Sequence, residues 1–92
     1  AAEEKARQEE EAKKAENEKK VKEYQTSLNS LQQDYNTYAQ YARSLESDLA
    51  YAQQNGEDTA DIQSQIDTNN QMLSSLQQQI TYYQQQISAL QS

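Results

Sequence analysis

Three carboxylates, Glu57, Asp58 and Asp61, lie close together and are the first residues in this chain to examine for chemistry. A calcium loop of the EF-hand type needs oxygen ligands at alternating positions with a glycine at the sixth, and that spacing is missing. The same residues suit a helix start, where carboxylates meet the positive end of the helix dipole and cap free N–H groups. The chain has no cysteine and no histidine. Thiolate and imidazole chemistry is therefore outside its reach, and with it most nucleophile–base pairs and soft-metal sites. Seven tyrosines remain, but a phenol with no base beside it is a packing residue first. We expect no catalytic residues, no metal site, no cofactor, no small-molecule substrate and no enzymatic activity.

The elements that would carry these residues are written in two apolar stripes. The first reads Val21, Tyr24, Leu28, Leu31, Tyr35, Tyr38, Ala42, Leu45, Leu49 and Ala52, in steps that alternate three and four without a break. That spacing is a heptad seam, with Val21 at position a and Tyr24 at d. The second reads Ile62, Ile66, Asn69, Leu73, Leu76, Ile80, Tyr83, Ile87 and Leu90 by the same rule, with Ile66 at a and Asn69 at d. Between them stands Asn55-Gly56, which holds the only glycine.

If the chain folds back there, each a residue of one helix meets a d residue of the other. Leu45 faces Ile66, Ala42 faces Asn69, Tyr38 faces Leu73, Tyr24 faces Ile87 and Val21 faces Leu90, each pair mirrored about the Asn55–Gly56 bond. The expected fold is all-α: an antiparallel two-helix coiled-coil hairpin with helices over about 21–54 and 59–91 and a turn over about 55–58. In that turn Gly56 serves as the residue after the helix end, and Asp58 or Thr59 as the cap of the next helix. Asn69 is the one polar residue in the seam. Such a residue costs stability and fixes register or oligomeric state, and the small Ala42 opposite leaves room for water.

Composition supports a thin rod over an enclosed core. The chain has 92 residues, no proline, phenylalanine or tryptophan, and a net charge of −7. Beyond Glu23 the only basic residue is Arg43, so no basic stripe exists to neutralise phosphates. Nucleic acid and anionic membrane surfaces are thereby disfavoured as partners, and no apolar run reaches transmembrane length.

Residues 1–20 form a separate block, dense in Glu, Lys, Arg and Ala and without a large apolar side chain. Glu3 with Arg7, Glu9 with Lys13, Glu10 with Lys14 and Glu16 with Lys20 stand at the i,i+4 spacing that supports an isolated helix. The block reads as a helical or frayed extension of the first helix. Its composition is similar to the Ala/Lys/Glu-rich stalk of TolA-like periplasmic spacers.

Flanking the seam, positions that usually carry Glu and Lys carry mostly glutamine, which supplies no charge code for partner choice. One flank, formed by the g and c positions of both helices, holds Tyr41, Tyr51, Met72, Tyr82 and Ala89. The other is mainly Gln, Asn, Ser and Asp. We therefore expect a structural or protein-interaction module, a spacer, adaptor or adhesin-like rod that self-associates or binds another helix through the tyrosine flank. The wealth of Gln, Asn, Ser, Thr and Tyr leans toward an extracytoplasmic bacterial protein, secreted, cell-surface or periplasmic. The alternative is the excised hairpin of a periplasmic transport adaptor whose tip docks a channel. Arg43-Ser44-Leu45 does not reproduce an adaptor tip motif near Gly56.

Overall fold

Two helices account for nearly the whole chain in the computed structural model, which describes residues 1–92: α1 over Ala2–Gln54 and α2 over Ala60–Gln91. They pack against each other as a hairpin measuring 81 × 15 × 14 Å. Of 83 backbone hydrogen bonds, 78 lie within the two helices, so the backbone is satisfied locally and the seam is left to side chains.

The change of composition at Lys20 makes no break in the helix. Residues 1–20 continue α1 as a single helical turn after turn, overhanging the end of α2 by about 30 Å at 1.5 Å per residue. Nothing apolar covers this stretch, and all of it is exposed except Asn17, which is half-buried. Of the four spaced charge pairs only Glu16 and Lys20 close, at 3.4 Å, with both side chains largely in solvent. An exposed pair of this kind contributes a fraction of a kcal/mol. Helix propensity from alanine, glutamate and lysine holds the extension, and the ion pairs assist it.

The reversal is a backbone device. Asn55 ends α1 and Gly56 takes the left-handed conformation at φ 66°. The Glu57 N–H then donates to the Ala52 carbonyl at 2.9 Å and the Gly56 N–H to the Gln53 carbonyl at 3.3 Å, the paired bonds of a Schellman motif. The Asn55 side-chain amide donates to the Tyr51 carbonyl at 2.8 Å, a second bond to the oxygen that already accepts the Asn55 backbone N–H at 3.1 Å.

Entry into α2 divides the capping role between the two expected residues. Thr59 occupies the cap position, its carbonyl accepting from the Gln63 N–H at 2.9 Å, but its hydroxyl caps nothing. Asp58 supplies the side-chain acceptor instead, taking the Ala60 N–H at 3.0 Å. Helix α2 thus starts at Ala60, one residue after the expected start.

Nothing lies within 4 Å of the place a Cβ would occupy on Gly56. Gly56→Ala therefore meets no clash and carries only the backbone cost of a left-handed alanine, about 1–2 kcal/mol. Thermal melts of the two proteins should differ by that amount. An unchanged melting temperature would show that the turn relaxes into another conformation.

Candidate interaction surface

Every fully buried residue belongs to the seam. Leu45, Ala52, Leu76 and Ile80 are buried, with Asn69 the one buried polar residue. Val21, Tyr24, Leu28, Leu31, Tyr35, Tyr38, Ala42 and Leu49 on α1 are half-buried. Ile62, Ile66, Leu73, Tyr83, Ile87 and Leu90 are half-buried on α2. Two helices alone cannot cover a seam residue on every side, which is why the larger side chains stay partly wet.

Three cross-helix contacts show how the helices face each other. The Tyr24 and Tyr83 rings meet in a tilted contact, with centroids 5.6 Å apart and planes at 51°, the Asn69 amide donates to the Tyr38 carbonyl at 3.0 Å, and the Tyr41 hydroxyl donates to Gln65 Oε1 at 3.2 Å. Tyr24 was expected opposite Ile87 and Tyr38 opposite Leu73. Each contact reaches the next layer toward the hairpin tip. The polar defect is accordingly tied to the backbone beside Tyr38 as well as lying near Ala42.

Asn69 is 4% exposed, and its Oδ1 has no hydrogen-bond partner. A notch lined by Tyr38, Tyr41, Gln65, Thr68, Asn69 and Met72 opens over it on the g/c flank. The g and c pattern marks this flank in the sequence, but not the notch itself, whose walls combine d, g and c positions of two helices. The Tyr41–Gln65 contact, joining g to g, is the kind of cross-flank pairing that a seam-only reading omits.

Around the notch lie the large apolar side chains that the seam leaves outside. Tyr41, Tyr51, Met72 and Tyr82 are 48%, 65%, 41% and 54% exposed, and no other large hydrophobic residue is comparably exposed. All four belong to the one flank. Tyr82 is steadied by an edge-on contact with the seam ring of Tyr83, at 5.4 Å and 77°. A second groove opens where α2 stops, between Lys14, Asn17 and Val21 of α1 and Leu90 of α2, and its walls are mostly charged or polar.

The acidic turn residues behave as helix-start groups. Asp58 is engaged with the Ala60 N–H, and Glu57, Asp58 and Asp61 do not form a group able to hold a metal ion. No helix is long and apolar enough to cross a membrane. No protein-family model, no characterised protein and no solved structure matches the chain.

Proposed function

We propose that the chain is a structural or protein-interaction module, a rigid coiled-coil hairpin that spaces or joins proteins and uses its tyrosine-bearing flank to do so. The observation that carries this reading is the segregation of Tyr41, Tyr51, Met72 and Tyr82 onto one side of an 81 Å rod. Aromatic residues and methionine are enriched where protein surfaces meet, and scattered placement would have carried no such meaning. The polar, lysine-poor composition past Glu23 supports a setting outside the cytoplasm of a bacterium, in the periplasm or at the cell surface.

The reading requires a stiff rod in solution. At dilutions where light scattering gives the mass of one chain, small-angle X-ray scattering should give a cross-section of two helices and a length near the 81 Å of the hairpin. A single continuous helix would instead extend about 140 Å at 1.5 Å per residue. A scattering profile of that length, or of a flexible coil, would overturn the proposal.

A further inference from the structure

We infer that the tyrosine flank takes a second copy of this chain, laid face to face and antiparallel, so that two hairpins form a four-helix bundle with their overhangs projecting from opposite ends. The inference rests on the reading of the chain as an interaction module and names the partner of that flank. It stands on the placement of the flank's apolar residues and on the distribution of charge along the rod.

An isologous dimer requires a surface that complements itself when turned about a two-fold axis. Tyr41 and Met72 both border the notch over Asn69, one from each helix. From that point Tyr51 lies ten residues along α1 toward the tip, and Tyr82 lies ten residues along α2 toward the base. Because the helices run in opposite directions, the two outer tyrosines stand at equal distances, about 15 Å, on either side of the notch. A two-fold axis through the notch, across the rod, brings Tyr51 of one copy level with Tyr82 of the other. It sets Tyr41 and Met72 of both copies together at the centre, over the buried Asn69 carbonyl oxygen that lacks a donor.

The notch lies near the middle of the two-helix section, so this axis overlaps the paired sections almost completely. The paired section is about 50 Å long by helix rise and 15 Å wide. Its face offers roughly 750 Å² per copy, close to the roughly 800 Å² per partner of a standard stable interface.

Charge chooses the direction. From Arg43 to Asp61 the tip carries five carboxylates, Glu46, Asp48, Glu57, Asp58 and Asp61, against one arginine. From Lys13 to Glu23 the base carries five lysines against three glutamates. A parallel pair would set two acidic tips side by side. The antiparallel pair sets the Glu57-Asp58 turn of each copy beside Lys19, Lys20 and Lys22 of the other, and Lys20 occupies a g position on the docking flank itself. Complementary charge at an interface fixes orientation in this way even where it adds little affinity.

The test uses the whole chain carrying one spin label at Gln54→Cys, an exposed position outside seam and flank. Light scattering should give twice the 10.6 kDa chain mass, with a concentration-dependent melt. Electron–electron distance measurement should place the two labels about 45 Å apart, since the positions fall roughly thirty residues apart along the bundle. Tyr41→Gln with Met72→Gln should raise the dissociation constant at least about tenfold. Because both residues are exposed, helicity of the diluted variant should be unchanged. A monomeric mass at every concentration would overturn the inference. So would a label distance under about 20 Å, which marks a parallel pair, or a dimer indifferent to the double substitution. A monomer that still scatters as an 81 Å rod would leave the interaction-module reading standing and remove only the second copy as its partner.

Discussion

Asn69→Leu should raise the melting temperature of the hairpin by roughly 5–15 °C. The wild-type side chain is 4% exposed and makes one hydrogen bond, to the Tyr38 carbonyl, while its Oδ1 makes none. A buried acceptor without a partner costs about 1–3 kcal/mol. The Tyr38 carbonyl is inside α1, within reach of the helix's own hydrogen bonding, so losing the Asn69 donor leaves no orphan behind. Leucine branches at Cγ as asparagine does, is the larger of the two, and replaces an amide with apolar surface in the seam. Stabilisation of about 1–2 kcal/mol, at about 4–8 °C for each kcal/mol in a chain of this size, gives that rise. Ala42→Leu added to Asn69→Leu should raise it further if the space near Ala42 accepts the larger group. A single variant that melts at or below the wild type would show that the asparagine is satisfied in solution. The gain should come with a loss of definition, since an all-apolar seam tolerates slippage, and the variant should populate more than one association state.

The opposite result is expected from Leu45→Ala. Leu45 is among the most deeply buried residues of the molecule, 3% exposed, and it lies in the seam within the tip half of the hairpin. Leucine-to-alanine changes in a core cost about 2–5 kcal/mol, the larger values arising where the surroundings cannot collapse into the space. A two-helix seam has only one neighbour able to close in, and it closes readily, so a loss of about 2–3 kcal/mol is expected. Urea unfolding should show it as a lower midpoint with an unchanged slope. Tyr51→Ala is the internal comparison, because Tyr51 is 65% exposed and its removal should change the stability of the monomer by less than about 0.5 kcal/mol. Equal losses from the two variants would place the source of stability somewhere other than the seam.

How far the sequence led can be judged from three positions. Tyr24, Leu28 and Leu31 announce their shared face by spacing alone, because a helix repeats every 3.6 residues whatever surrounds it. Gly56 announces the reversal, because only glycine enters the left-handed region without penalty, and the hairpin turns there. The ring contact of Tyr24 with Tyr83, which sits in the adjoining layer, was out of reach. Spacing puts the two tyrosines in neighbouring layers, but which neighbour a tilted ring touches depends on its rotamer, and spacing does not encode that. The Schellman bonds from Glu57 and Gly56 are local to the helix end, where a glycine after the last helical residue favours them. The charged block tells a similar story. Its composition marks it off from the seam, yet α1 passes through the boundary unbroken, since both compositions favour the same backbone.

The single tight turn gives the rod a directional response to load. Traction applied between the tip and the base is shared by the two helix backbones side by side and does not part the seam layers between them. Traction applied by separating the free end of α2 from α1 concentrates on the last layer, near Leu90 and Val21, and then on each one after it, as in peeling. The same two helices therefore make a stiff strut along the axis and an easily parted clasp across it, with the Gly56 turn as the pivot that keeps the halves joined for re-closing.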